Sequence, residues 1–318
     1  MQTATSRSAM RTRCFSCRAR PFSLAPDGWS QCDWCGAQWR GQGYGEADIL
    51  AEELEEALGP GRVCEQSVAG HDWRLNGHAL RIAASRFGLW FVPDKTSPRL
   101  GPANDSTVGV LEPLRQTRPV TVGLVTLARR DDATLDTFLQ EFAPYFASCV
   151  AVIDGPDRPC DISDGLAKIW RLLDSDFAAQ RNAGQRASTC DWTFHLDLDE
   201  RVTPEFCENL PFLAARAATA GLAAIAFPRR NFVDGRLSDL FPDVQYRLVP
   251  ADARFRGNVH ERPDACADWT RTSVWLGGAI DHDLSRDRVM ERSRLYDAMG
   301  QRPAQRTDDT DLLTAYRD

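Results

Sequence analysis

The 318-residue chain has almost no lysine: Lys95 and Lys168 are the only two among 38 basic residues. So skewed a ratio reads as a GC-rich coding bias, and it carries no functional weight. No apolar run reaches the roughly 18 residues that a bilayer span needs. The nearest, Phe212 to Phe227, is shorter and holds Arg216, so an integral membrane protein is not expected. The arginines of Met1 to Arg13 are not followed by an apolar core, so no secretory signal is read and a cytoplasmic location is expected. Positive charge is scarce overall. The net charge of −7 argues against a surface built to grip phosphate backbones. What surplus exists lies early: residues 1–40 hold Arg7, Arg11, Arg13, Arg18, Arg20 and Arg40 against Asp27 and Asp33, leaving that segment +4 and the remainder −11. With 43% apolar and 26% charged residues, the chain has the composition of a folded protein, long enough for about two domains.

Ten cysteines without a secretion signal read as reduced thiols rather than a disulfide framework. Cys14-Phe-Ser-Cys17 and Cys32-Asp-Trp-Cys35 are two C-x2-C pairs separated by 14 residues, the spacing of a tetrahedral zinc ribbon. Four thiolates would close the shell of a Zn²⁺ ion and leave no position for substrate, so this metal is expected to be structural. Cys64, Cys149, Cys160, Cys190, Cys207 and Cys266 are scattered and are expected as small core residues.

Gly41 to Gly45 is a glycine-rich break, after which Ala47 to Leu58 carries an apolar stripe at helical spacing, closed by Gly59-Pro60. Trp73 to Ile82 reads as a hairpin around Asn76-Gly77, with Gly88 to Val92 as a further strand. Pro93 to Pro119 contains five prolines and no periodicity, the pattern of a linker or wrapping loop. From Val120 strands and helices alternate. Strands are expected at Val120–Leu127, Val150–Ile153, Trp192–Leu196 and Leu222–Phe227. Helices are expected at Ala133–Phe146, Asp164–Trp170, Phe177–Ser188 and Pro204–Ala220. Such alternation predicts an α/β domain, a mostly parallel sheet with helices on both faces. The expected organisation is a four-cysteine zinc ribbon over 1–44, a small α+β module and linker over 45–118, the α/β domain over 119–298 and a polar tail over 299–318. Ligands of such sheets bind at the carboxyl ends of strands. Ala128-Arg129, Asp154-Gly155 and Asp197 to Glu200 occupy those positions.

Trp192-Thr-Phe-His-Leu-Asp-Leu-Asp-Glu200 is the most informative stretch. A period of two sends Phe194, Leu196 and Leu198 one way and His195, Asp197 and Asp199 the other. Carboxylates about 4 Å apart repel by roughly 1 to 4 kcal/mol, so a divalent cation is the natural reason to gather them. Oxygen ligands suit Mg²⁺ or Mn²⁺ with positions left for substrate phosphates.

Asp154-Gly155, Gln180-Arg181-Asn182, Leu196-Asp-Leu-Asp-Glu200, Pro242-Asp-Val-Gln-Tyr-Arg-Leu248 and Phe255-Arg-Gly-Asn-Val-His-Glu261 follow one another, and His282 with Tyr296 comes after them. In these motifs and their order, residues 119 to 298 resemble the family 2 glycosyltransferases of the GT-A fold, most closely the branch of lipopolysaccharide-core transferases. The resemblance implies a GT-A nucleotide-diphospho-sugar transferase fold behind the ribbon and small module. It assigns Arg129, Asp154, Arg181 and Asp197 to the nucleotide donor, Asp199 to a catalytic Mn²⁺ or Mg²⁺, and His260 or His282 to the shell of that metal or the diphosphate. Glycosyl transfer breaks an anomeric C–O bond while negative charge builds on the diphosphate, and the attacking hydroxyl must lose a proton to a base. Glu261 is the candidate base and Asp243 the second, with inversion at the anomeric carbon expected. Where many members read Asp-Gly-Ser-x-Asp, this chain has Asp154-Gly-Pro-Asp-Arg158.

The expected partners are a nucleotide-sugar donor and an acceptor glycan, lipid-linked or other hydroxyl-bearing molecule. Two other readings compete. One is an adaptor whose ribbon contacts nucleic acid or protein beside an inactive large domain; the other is a nucleotidyltransferase or metal-dependent phosphohydrolase. Four thiolates on Zn²⁺ are net −2 and blunt the +4 segment, so bracing or protein contact is favoured over nucleic acid.

Overall fold

The computed structural model describes residues 13–20, 22–24, 28–40, 46–64, 68–69, 72–94, 108–163, 165–257, 261–267, 271–298 and 310–316. At its amino-terminal end two cysteine knuckles face each other. In each, the residue after the second cysteine adopts a left-handed conformation, Arg18 at φ 62° and Gly36 at φ 78°. That bend lets the amides of Arg18 and Gly36 reach back to the carbonyls of Cys14 (2.8 Å) and Cys32 (3.0 Å). A five-stranded sheet follows from Phe22–Leu24, Ser30–Cys32, Gln38–Trp39, Trp73–Leu75 and Val68–Ala69. Trp39 pairs with Trp73 across it, so the ribbon and the segment after Gly45 share one sheet.

Helix α1 spans Glu46–Ala57. Helix α2, Gly77–Ser85, replaces the expected hairpin. Asn76 suits a turn, but it is equally a strong N-cap residue. Here its Oδ1 accepts a hydrogen bond from the Ala79 amide at 2.9 Å, and the following Ala-Leu-Arg-Ile-Ala-Ala run favours a helix. The expected linker also contains order: Gly109–Pro113 pairs antiparallel with Leu89–Pro93. Residues 95–107 and the Gly41–Gly45 break lie outside the described residues.

The large domain is mixed α/β. Its elements are β1 (Val122–Ala128), α3 (Leu135–Phe142), β2 (Ser148–Asp154), β3 (Leu166–Arg171), α4 (Phe177–Ala187), β4 (Trp192–His195), α5 (Pro204–Thr219), β5 (Ala224–Val233), β6 (Asp243–Pro250), β7 (Ile280–Leu284) and α6 (Arg286–Ala298). β3, β2, β1 and β4 form a parallel block. β6 then pairs antiparallel between β4 and β5, and β7 runs parallel to β5, within an 11-stranded sheet. β3 stands where a helix over Asp164–Trp170 was expected. The segment is too short for periodicity to decide, and full parallel pairing with β2, from Leu166 on Cys149 to Arg171 on Asp154, supplies backbone bonds that an isolated turn of helix cannot. Asp164 itself lies outside the described residues.

Alternation along the strands separates two cores. Leu124, Ala151, Ile153, Trp192, Phe194 and Leu196 pack with Phe138 and Phe142 of α3 and Leu210 and Leu213 of α5. Val125, Val150 and Val152 face α4 on the other side. α4 sits so close that a Cβ on Gly184 would lie 2.4 Å from Cγ1 of Val125. A third cluster joins Phe15 and Trp39 of the ribbon to Trp73, to Leu80 and Ile82 of α2 and to Ala226 and Val274 of the large sheet. Of the scattered cysteines, Cys149, Cys190 and Cys207 are buried, whereas Cys160 is exposed beside the sheet's outermost strand, Asp161–Ser163. The tail is polar in sequence but not unanchored: Leu312 is buried, and Ala315 bridges to Ser238. No helix among the described residues is long and apolar enough to cross a membrane.

Candidate functional site

β1 lies between β2 and β4. The chain leaves β1 through α3 on one face of the sheet and enters β4 from α4 on the other, so the carboxyl ends of β1 and β4 stand at the switch point where sheets of this kind bind ligands. Arg129 is exposed just past β1. Asp154 ends β2 half-buried, its Oδ1 accepting a hydrogen bond from the Leu173 amide at 2.8 Å. The acidic turn Asp197 to Glu200 follows β4 directly.

α4 is polar on a buried face, an arrangement that needs partners. Asp176 caps it, its Oδ1 accepting from the Ala179 amide at 2.8 Å. Gln180 donates to the Arg171 carbonyl, Asn182 exchanges two bonds with the Phe255 backbone, and Gln185 meets His195 Nε2 at 2.9 Å. These ties aim Arg181 at the acidic turn. Its Nη2 donates to both oxygens of Asp197 at 3.0 and 3.1 Å, and its Nε to Oε1 of Glu261 at 2.5 Å. Glu261 Oε2 takes no hydrogen bond from a described residue. Across the turn, Arg247 Nη2 donates to Asp197 Oδ2 (2.9 Å) and Glu200 Oε1 (2.8 Å). Arg229 donates to the same Glu200 oxygen at 2.9 Å and to Asp243 Oδ2 through Nε and Nη2 at 2.9 and 2.6 Å.

Three arginines thus face four carboxylates in a nearly closed network. Burial favours the neutral carboxylic acid at Asp197, but the charges of Arg181 and Arg247 outweigh it and hold the group below the ordinary aspartate range. At Asp243 burial is likewise outweighed, by Arg229 with help from Asn231 and Gln245. His195 is driven well below its usual value by burial and by Arg181 and Arg247, so it stays neutral.

Asp199 points to a different group. His282 is buried on β7, and its Nδ1 lies 2.8 Å from Oδ1 of Asn231. An amide oxygen can only accept, so Nδ1–H donates to Asn231, and Nε2 lies 3.5 Å from Asp199 Oδ2. Burial opposes ionisation of Asp199, but the bond and charge of His282 and the charge of Arg288 prevail and lower its pKa. Arg288 Nη2, half-exposed on α6, lies 2.8 Å from the same oxygen.

Of the residues singled out in the sequence, Arg181, Asp197, Asp243 and Glu261 are joined through shared hydrogen bonds, and Asp199 pairs with His282. Arg129 and Asp154 stand at neighbouring strand ends. His260 lies outside the described residues. Arg229, Asn231, Arg247 and Arg288 carry as much of the geometry and were given no role. Their signal was a period of two: 229 and 231 on β5, with 243, 245 and 247 on β6.

The four cysteines form a second centre. All four ligand atoms lie within 4.8 Å of one another and are buried, and the Cys14–Cys35 and Cys17–Cys32 sulfurs are 3.6 Å apart. A tetrahedron with Zn–S bonds of about 2.3 Å has sulfur edges of about 3.8 Å, so the donor set fits zinc. Among the described residues this is the one group of three or more such side chains close enough to share an ion. Hydrogen bonds from its three neighbours stabilise Cys32 as thiolate, whereas bonding and burial raise Cys17 and Cys35. Four crowded buried sulfurs cannot all ionise without a cation between them.

No protein-family model matches the chain. Among solved structures it is similar to S. aureus TarS residues 1–349, at 11% identity and a TM-score of 0.33 over 52% of this chain and 60% of that one. A second structure of S. aureus TarS gives 10% identity and a TM-score of 0.32 over 52% of this chain and 35% of that one. The chain therefore covers less than two thirds of either, and overlap this slight decides neither fold nor chemistry.

Proposed function

We propose that the chain is a metal-dependent, inverting glycosyltransferase of the GT-A type, moving a sugar from a nucleotide-diphosphate donor to an acceptor hydroxyl. The observation that carries the reading is the acidic turn at the strand-order switch, where Asp199 Oδ2 lies 3.5 Å from His282 Nε2. Asn231 accepts from the Nδ1–H of that histidine, as an outer partner of a metal ligand does, which would leave Nε2 for an ion. Asp199 and His282 would hold Mn²⁺ or Mg²⁺, and the bound ion would supply Lewis-acid stabilisation of a diphosphate leaving group. The motif order in the sequence supports the same family and its lipopolysaccharide-core branch.

In this reading Asp154 and Asp197 take the nucleoside side of the donor, with Arg129 exposed at the neighbouring strand end. Glu261, oriented by Arg181 through Oε1, keeps Oε2 for the proton of the attacking hydroxyl. Asp243 is the weaker candidate base, because Arg229, Asn231 and Gln245 already occupy both of its oxygens. The acceptor is a glycan, a lipid-linked sugar or another hydroxyl-bearing molecule. A panel of nucleotide sugars with Mn²⁺, Mg²⁺ and chelator tests the proposal. The expected outcome is metal-dependent release of a nucleoside diphosphate, with transfer abolished and donor binding kept in Glu261→Gln. Wild-type transfer by that variant would remove Glu261 from the role, and release of diphosphate would point to nucleotidyl transfer instead.

A further inference from the structure

Strand β6 has two faces with different neighbours. Asp243, Gln245 and Arg247 point into the candidate site, while Val244 and Tyr246 between them pack against the cluster that contains Cys14, Cys17, Cys32 and Cys35. The apolar cluster that the ribbon shares with α2 and the large sheet thus backs a strand whose other side holds Asp197 and Glu200.

A polar anchor fixes the entry to that strand. Asp239, four residues before Asp243, receives two arginines of the ribbon. Arg13 Nη2 donates to its Oδ1 at 2.8 Å, Arg20 Nη2 to the same oxygen at 2.7 Å, and Arg20 Nη1 to Oδ2. The side chains of Arg13 and Asp239 are only 2% and 6% exposed. Arg13 Nη1 also donates to the Phe241 carbonyl and, at 3.0 Å, to the carbonyl of Arg18, the left-handed residue closing the first knuckle. The carboxy-terminal segment seals the arrangement. Thr314 accepts from the Asp239 amide at 2.8 Å, and the Tyr316 ring lies 4.0 Å from the Arg13 guanidinium carbon. Hydrogen bonds therefore run from a cysteine knuckle through Arg13 to the segment 239–241. Beyond it, two residues on, they continue through Asp243, Arg229, Glu200, Arg247, Asp197 and Arg181 to Glu261.

We propose that the four-cysteine module is a clamp on the site rather than an appended recognition domain. Asp239 is its positioning residue, transmitting the order of the metal-bound knuckles to Asp243 and Arg247 on β6. The claim concerns the chain's own residues and holds whether or not the reaction proposed above is the right one. Paired buried charges resist the loss of one partner strongly, so removing the anchor should loosen β6 selectively.

Amide hydrogen exchange on the full-length protein tests it, with zinc content measured alongside. Asp239→Asn is expected to keep its zinc yet speed exchange across 243–250 by about tenfold or more, with β2 (148–154) within about twofold of wild type. Chelating zinc from the wild-type chain should loosen the same segment first. Arg20→Gln, which removes the half-exposed arm of the anchor, should give a smaller effect at the same place, and it decides the matter if Asp239→Asn does not fold. Wild-type protection of 243–250 in the folded variant, or after zinc removal, overturns the proposal. So does equal acceleration of 148–154 in folded Asp239→Asn, because that would be general destabilisation rather than positioning.

Discussion

Individual side chains in this protein are held by charge as much as by apolar contact. Arg229 bridges Glu200 and Asp243, all largely buried. Arg229→Met would leave Asp243 without its cation and Glu200 with Arg247 alone, and a loss of about 3 to 5 kcal/mol in denaturant unfolding is expected. Asn231→Ala removes no direct ligand, yet it frees the His282 tautomer. The expected result is Mn²⁺ binding weakened about 10- to 100-fold in a titration followed by electron paramagnetic resonance. His78 gives a pH signature elsewhere: burial, with the nearby Arg81, lowers its pKa from 6.5 to about 4. A histidine depressed in the folded state is neutral there while the unfolded chain binds its proton, so stability falls as pH drops from about 6.5 to about 4. His78→Gln should flatten the urea midpoint over that interval. The sequence made Asp197, Asp199, Arg181 and Glu261 visible because they stand in motifs. Arg229, Asn231, Arg247 and Arg288 stood out less, because a residue's partner across a sheet depends on a register that one strand alone does not contain.

At the scale of elements, α4 does the positioning. Its capped start and its Gln180, Asn182 and Gln185 bonds set Arg181, and Gly184 lets the helix lie against Val125 and Val152. Glycine to alanine in a helix interior ordinarily gains up to about 1 kcal/mol. Here the added methyl meets packed side chains, so Gly184→Ala should instead destabilise by about 1 to 3 kcal/mol in thermal or denaturant melts. Long periodic segments such as α3, α4 and α5 were legible within a few residues. The two short elements misread, α2 and β3, illustrate a limit of periodicity. Asn76-Gly77 serves a turn or a helix cap, and a six-residue stretch such as Leu166–Arg171 serves a helix or a paired strand, until a neighbour chooses.

Across the whole molecule, the ribbon, α2 and the large sheet share one apolar cluster containing Ala226 and Val274. Zinc removal is therefore expected to lower the melting temperature of the entire chain in one calorimetric transition. Two separable transitions would mean that the ribbon folds independently. By itself the sequence determined the cysteine pairs and the tetrahedral donor set they make, the alternating strands and helices, and the acidic turn after β4, because spacing along the chain dictates knuckle, face and strand end. Only the tertiary structure decided which arginines neutralise that turn, that Asn231 holds His282 Nδ1, and that β6 packs on the apolar cluster the ribbon shares. Each of those depends on strand order and on which side chains burial forces to find a partner.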